Sequence, residues 1–103
     1  MDHEIDWRPG ALRDLEAIYD WVADQSDPVT AAAYVARIQA FTGKLCHFPN
    51  RGTSRFHVSP NLRSVTFERH IIVGYRVENR TVRILRLIDT SRDFRRAFSG
   101  TTG

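Results

Sequence analysis

The sequence predicts a small α+β domain of order β-α-α-β-β-β, in which a helix hairpin packs on one face of a small antiparallel sheet. Two stretches of helical periodicity lie in the first half of the chain, and three strand-like stretches with short connectors lie in the second half. A chain of 103 residues is long enough for one domain with a modest core. We expect this domain to span residues 1–98 and residues 99–103 to form a frayed polar tail.

The first half predicts one short strand and two helices. Ile5 and Trp7 alternate with acidic residues, which predicts a strand with one buried face that ends at Pro9. An apolar stripe at helical spacing predicts the first helix, with members Leu12, Leu15, Ile18, Tyr19 and Val22. Asp27 followed by a proline predicts the start of the second helix, whose apolar face holds Ala31, Tyr34, Val35, Ile38, Phe41 and Leu45. The connection is short, so the helices should pack antiparallel.

The second half predicts a meander of three strands after a polar loop at residues 50–61. The strand-like runs are 62–67, 71–77 and 82–88. The last run is the most apolar, and we therefore expect it to be the central strand. A short C-terminal helix is expected over residues 93–98.

Charge is segregated along the chain. Residues 1–50 contain four basic and eight acidic side chains, a formal charge of −4, whereas residues 51–103 contain eleven arginines and four acids, a formal charge of +7. Lys44 is the only lysine. Since a guanidinium binds carboxylates and phosphates through parallel hydrogen bonds, the arginine-rich half predicts an anionic partner, either a nucleic acid or an acidic protein segment.

The sequence predicts no cofactor and no metal site. No glycine-rich phosphate loop follows a strand, and the four histidines and one cysteine lack the spacing of a zinc site. The acids of the first helix are interpreted as a solvated face; they are Asp14, Glu16, Asp20 and Asp24. The single Cys46 and the absence of a signal-like or membrane-spanning apolar stretch predict a cytoplasmic location.

Metal-independent RNA cleavage is the enzymatic alternative that the residues leave open. It requires a base for the 2′-hydroxyl, a cation for the phosphorane and an acid for the leaving oxygen. His57, His70 and Tyr75 could serve as acid or base, and arginines as the cation. Tyr75 is in phase with Ile71 and Val73, so it is expected in the core, and we assign no catalytic residue.

An ordered set of short motifs resembles the ParE branch of the RelE/ParE toxin superfamily. The motifs are FP at 48–49 followed by Gly52, LR at 62–63, YRV at 75–77, ILRL at 84–87 and RD at 92–93. The family's first helix is matched by Ala11, Asp14, Leu15, Ile18 and Trp21. The resemblance covers nearly the whole chain, and the order and spacing of the motifs make it specific.

The resemblance implies a growth-inhibiting toxin of a type II toxin–antitoxin system. ParE toxins are understood to inhibit DNA gyrase, and a cognate ParD-like antitoxin would neutralise this one in a hetero-oligomeric complex. If the toxin contacts gyrase, we expect the C-terminal segment to do so, through Arg92, Phe94, Arg95, Arg96 and Phe98. The RelE branch implies the alternative, a ribosome-dependent mRNA endoribonuclease. The tail has phenylalanines where such a nuclease carries a tyrosine, and phenylalanine cannot transfer a proton, which favours ParE.

An acidic amphipathic antitoxin segment should bind exposed aromatic and arginine side chains. The candidates are Trp21, which lies one position off the apolar stripe, and Arg37, Arg63, Arg76 and Arg86. A non-enzymatic nucleic-acid-binding module is the third class. We rank direct nucleic-acid binding last, because Phe67 and Tyr75 are expected under the helices rather than on an open stacking platform.

Overall fold

The computed structural model describes residues 3–90 and shows two helices packed on a five-stranded sheet. The helices are α1 (Pro9–Gln25) and α2 (Pro28–Gly43), and α2 continues into a 3₁₀ turn at Lys44–Cys46. The strands are β1 (Glu4–Trp7), β2 (Thr53–Ser54), β3 (Leu62–Phe67), β4 (Ile71–Glu78) and β5 (Thr81–Asp89). The predicted α+β order is confirmed, with the short β2 added inside the expected loop. The expected helix at 93–98 and the tail lie outside the described residues.

The sheet is mixed rather than purely antiparallel. Its strand order is β1-β5-β4-β3-β2, and β1 pairs parallel with β5 while the other pairs are antiparallel. The prediction that β5 is the central strand was wrong, because β1 adds beside β5 and moves β4 to the centre. Strand β5 is still strongly apolar because it is an interior strand and buries side chains on both faces of the sheet.

The helix hairpin forms as its end signals predict. Asp27 is the N-cap of α2: its carboxylate accepts a hydrogen bond from the Thr30 backbone N–H at 2.7 Å, and Pro28 occupies the first turn. Helix α1 is rotated from the predicted stripe, so that Ala11 is buried and Leu12 is 50% exposed. Ile5 is 38% exposed, whereas the alternation predicted that it lies on the buried face of its strand.

Apolar side chains pack on both faces of the sheet. Under the helices, Tyr34 and Phe41 pack edge-on against Phe67, with ring centroids 5.6 and 5.3 Å apart. The larger core on this face buries Leu15, Ile38, Leu45, Val73, Tyr75, Val82, Ile84 and Leu87. A smaller cluster on the opposite face joins Leu62, Leu85 and Ile88, with Val58 and Ile72 against it. Phe67 and Tyr75 are therefore covered, as predicted.

Both connectors of the meander are tight turns with left-handed central residues. Glu68 and Arg69 have φ of 46° and 67°, and the His70 N–H donates to the Phe67 carbonyl across the turn at 3.0 Å. The same backbone conformation recurs at residues 79–80. This geometry matches the right-handed twist of the strands but is unfavourable for residues other than glycine or asparagine. Neither helix within residues 3–90 is long and apolar enough to cross a membrane.

Candidate functional site

A groove of about 660 Å³ lies between α1, α2 and the ends of β4 and β5. Five residues of α1 form one wall, and Tyr34 of α2 contributes to the lining. The full lining is Asp14, Ala17, Ile18, Trp21, Val22, Tyr34, His70, Ile71, Leu87 and Asp89. Most of these side chains are apolar, so the groove has the shape and chemistry that accept the apolar face of a partner segment.

Trp21 is the most prominent side chain of the groove. It is 65% exposed although it is a large aromatic residue. Its position follows from the spacing of α1, where Ile18 and Val22 face the sheet and Trp21 is displaced by one residue toward solvent. Exposed tryptophan is enriched among residues that dominate binding energy at protein interfaces. The sequence indicated this site through Trp21, an aromatic residue that lies one position outside the apolar stripe of the first helix.

Arg37 forms an ion pair beside the groove. Its guanidinium binds both carboxylate oxygens of Glu68, at 3.0 and 3.2 Å, and stacks over the Tyr34 ring at 5.1 Å from the centroid. The hydrogen bond raises the pKa of Arg37 and lowers the pKa of Glu68 below its usual value. The pair attaches the β3–β4 turn to α2, so Arg37 is already partnered within the chain.

Arg86 forms a second ion pair, with Asp14 at the lining of the groove. The Asp14 carboxylate accepts hydrogen bonds from Arg86 Nε at 2.6 Å, from Arg86 Nη2 at 3.2 Å and from the Leu87 backbone N–H at 2.9 Å. This pairing raises the pKa of Arg86. The interpretation of Asp14 as part of a solvated face was wrong, because its carboxylate is paired with Arg86. This partner lies 72 residues away in sequence, so the helical pattern did not indicate it.

Arg63 and Arg76 lie away from the groove. Arg63 donates to the carbonyls of Asn50 and Gly52 at 3.2 and 2.9 Å, at the start of β3. Arg76 is only 9% exposed and donates to the Ser59 hydroxyl at 2.7 Å, while its buried Nε has no hydrogen-bond partner. Of the five residues predicted to bind an antitoxin, only Trp21 lines the groove. Arg37 and Arg86 contact the lining residues Tyr34 and Asp14, and Arg63 and Arg76 lie elsewhere. Their role in antitoxin binding stays a prediction.

The three candidates for acid–base catalysis do not form a common site within the described residues. The Tyr75 hydroxyl is buried, where it donates to the Pro49 carbonyl at 2.8 Å and accepts from the Gly52 N–H at 3.0 Å. Burial raises the pKa of Tyr75, which disfavours a role as a base near neutral pH. His70 lines the groove and His57 lies in the loop before β3, both exposed.

Within residues 3–90 there is no cluster of histidine, cysteine and carboxylate side chains able to hold a metal ion. The five C-terminal residues predicted to contact a target lie outside the described residues. They are Arg92, Phe94, Arg95, Arg96 and Phe98.

Comparison with known proteins places this fold and sequence in one family. Residues 5–94 match the family model described as the ParE toxin of the type II toxin–antitoxin system parDE. A comparison with curated proteins finds no significant sequence similarity.

Several solved structures resemble the chain. One is the chromosomal ParDE toxin–antitoxin system from P. aeruginosa, with a TM-score of 0.74 and 30% identity over 84% of this chain and 95% of that one. Another is the toxin–antitoxin complex RelBE2 from Mycobacterium tuberculosis, with a TM-score of 0.56 and 21% identity over 86% of this chain and 99% of that one, a likeness of fold. The chain belongs to the ParE toxin family of type II toxin–antitoxin systems.

Proposed function

We propose that this toxin inhibits DNA gyrase and is neutralised by a ParD-like antitoxin, an amphipathic segment of which occupies the groove beside Trp21. The observation that carries the proposal is a largely apolar groove with an exposed tryptophan, in a chain similar to the ParDE system. Burial of Trp21 and its neighbours would supply the affinity, because apolar area removed from water is the main favourable term in most protein associations.

The two ion pairs beside the groove limit which groups an antitoxin could bind. Arg37 and Arg86 already bind Glu68 and Asp14, so a new carboxylate would have to displace a carboxylate of the chain itself. Displacing a bidentate pair gains little net energy, since one charge-assisted pair replaces another. The two arginines therefore hold the walls of the groove in place, and the apolar side chains are the main source of binding energy.

The nuclease alternative is less well supported. A ribonuclease needs an acid and a base placed around one phosphate. Among the described residues, Tyr75 is held in the core by two hydrogen bonds, and the two exposed histidines, His57 and His70, lie on separate parts of the molecule. ParE-type inhibition, which requires no proton transfer by the toxin, is the function that this arrangement supports better.

Two assays on the purified toxin test the target. One measures supercoiling by DNA gyrase, and the other measures cleavage of messenger RNA on programmed ribosomes. We expect loss of supercoiling with intact message. Cleaved message with normal supercoiling would contradict the proposal and assign the toxin to the nuclease branch.

The antitoxin site is tested by Trp21→Ala. Removing the indole should weaken binding of a cognate ParD-like antitoxin by about 30-fold or more, as expected for a residue worth at least about 2 kcal/mol at an interface. Calorimetric titration gives the affinity. Leu12→Ala is the matched control, because Leu12 is an exposed apolar residue of the same helix outside the groove. Equal affinities for the two variants would place the antitoxin elsewhere.

A further inference from the structure

The charged groups that line the apolar groove are mainly acidic. Within residues 3–90, the lining includes the carboxylates of Asp14 and Asp89 and no lysine or arginine. His70 is the one described lining residue whose side chain can become cationic. The surface of the groove is therefore acidic, although the chain as a whole has a formal charge of +3.

The two carboxylates lie in different environments. Asp14 is partly buried, binds the Arg86 guanidinium through both oxygens and accepts the Leu87 N–H, so its charge is compensated where it lies. Asp89 is the last residue of β5 and is exposed. Asp89 is therefore the acid of the lining that a partner in the groove can approach from solvent.

Asp89 lies at the same end of the groove as two side chains that can form hydrogen bonds. It is opposite Ile71 in the pairing of β4 with β5, and the N–H of the next residue, Thr90, donates to the His70 carbonyl at 3.0 Å. Tyr34 of α2 completes the lining on the side of the helices. We call the surface formed by Tyr34, His70 and Asp89 the acidic end of the groove.

The Tyr34 hydroxyl group reports the negative charge at this end. Burial raises the pKa of Tyr34, and the carboxylates of Glu68 and Asp89 raise it further, whereas Arg37 lowers it. Negative charge nearby disfavours the phenolate, so the two carboxylates both act on a residue of the lining. Arg37, the cation that opposes them, is itself bound to Glu68.

A lysine or arginine side chain would fit the acidic end. Ile71, opposite Asp89, and Leu87, two positions before it, both line the groove and supply apolar surface. The aliphatic stem of a long basic side chain packs on such a surface, and its charged group can then reach a carboxylate at the edge.

From this arrangement we propose that the acidic end of the groove binds a cationic side chain of the antitoxin segment whose apolar residues pack beside Trp21. The inference rests on the function proposed for the groove and specifies the chemistry of its partner. A carboxylate at this point would be repelled by Asp89, so the groove discriminates against acidic residues as well as attracting a basic one. The acidic residues expected of an antitoxin segment then lie outside the groove.

The test begins with a phage-displayed library of amphipathic helical segments of about 16 residues, roughly four helical turns. Leucines are fixed at the positions of one helix face, and the other positions are randomised. The library is selected on the full-length toxin, and clones that still bind the Trp21→Ala variant are discarded, so that the remaining clones depend on the groove. We expect lysine or arginine, and no acid, at one position beside the apolar face.

One selected segment is then synthesised with lysine, glutamine or glutamate at that position and titrated by fluorescence anisotropy. The lysine form should bind about 2- to 5-fold more tightly than the glutamine form, the range for a solvent-accessible ion pair, and the glutamate form should bind most weakly. Asp89→Asn should remove these differences. Glu16→Gln is the matched control, because it removes an exposed carboxylate of α1 outside the lining and should leave the differences unchanged.

The possible failures are distinguishable. Equal affinities of the three forms for the parent toxin would overturn this inference and leave the groove as the antitoxin site. Equal effects of Asp89→Asn and Glu16→Gln would also overturn it, since they would indicate net charge alone. If no selected clone depended on Trp21, the proposed function of the groove would be contradicted, and this inference with it.

Discussion

At the residue scale, the Asp14 side chain accepts a hydrogen bond from a backbone N–H of β5 that no neighbouring strand accepts. Strand β1 ends at Trp7, opposite Ile84, so beyond that point β5 has no strand on the β1 side, although β4 still pairs with it on the other side. The Asp14 carboxylate takes over as the acceptor for the Leu87 N–H and simultaneously binds the Arg86 guanidinium. A β-bulge at this level of β5, opposite residues 74 and 75, accompanies the change of partner.

We therefore expect Asp14→Ala to lower the free energy of unfolding by about 2–4 kcal/mol, because it removes a half-buried ion pair and the acceptor of a backbone N–H. Urea unfolding with an unchanged m-value measures the loss. Glu16→Ala is the matched control, since Glu16 is an exposed acid of the same helix, and it should change stability by less than about 0.5 kcal/mol. A loss equal to that of the control would show that the contact contributes nothing.

The residue scale also marks the limit of sequence reasoning. Trp21 was identified from its own position on α1, because helical spacing is a local property. Asp14 was wrongly placed on a solvated face, because no residue near it in sequence indicates that its partner lies on β5. The pairing of Arg37 with Glu68 was missed for the same reason, so four arginines were all treated as available surface groups.

At the element scale, the two hairpin turns are unfavourable conformations maintained by their surroundings. Glu68 and Arg69 both have positive φ, which costs about 1 kcal/mol or more per residue for side chains other than glycine or asparagine. The turn is held by the Arg37–Glu68 pair on one side and by hydrogen bonds from Thr90 to the carbonyls of Arg69 and His70 on the other.

Arg69→Gly should accordingly raise the free energy of unfolding by about 0.5–1 kcal/mol, since glycine adopts this conformation without steric cost. Thermal unfolding followed by circular dichroism measures the change. Arg51→Gly is the control, because Arg51 is an exposed loop arginine whose φ is not positive, so glycine there should lower stability. Stabilisation by both substitutions, or by neither, would contradict the argument.

The elements divide into those that local pattern predicts and those that it does not. Both helices, the Asp27 cap and the three-strand meander follow from periodicity and end signals, and all were predicted. The pairing of β1 with β5 and the short β2 were not, because strand order and a two-residue strand depend on contacts distant in sequence. This pairing also explains why β5 is interior without being central.

At the scale of the whole molecule, the described part of the fold ends with β5 and Thr90. Strand β5 ends at Asp89, and Thr90 donates hydrogen bonds to two carbonyls of the β3–β4 turn. The apolar groove reaches the end of β5, and the short strand β2 forms one edge of the sheet.

Truncation after Thr90 is therefore expected to preserve folding and antitoxin binding while abolishing gyrase inhibition. The deletion removes Arg92, Phe94, Arg95, Arg96 and Phe98, the residues proposed to contact the target. Growth inhibition on induction and supercoiling in vitro are the readouts, with thermal unfolding as the check of folding. A truncated chain that still arrests growth would exclude the C-terminal segment as the target contact.

The parallel pairing of β1 with β5 has a consequence for synthesis on the ribosome. Glu4 pairs with Thr81, so 77 further residues have to be synthesised before the first strand can pair with β5. At about 5–20 residues per second, that delay is on the order of 4–15 s, during which the helix hairpin can form but the sheet that covers it cannot. A nascent chain therefore exposes its apolar helix faces until β5 has been synthesised.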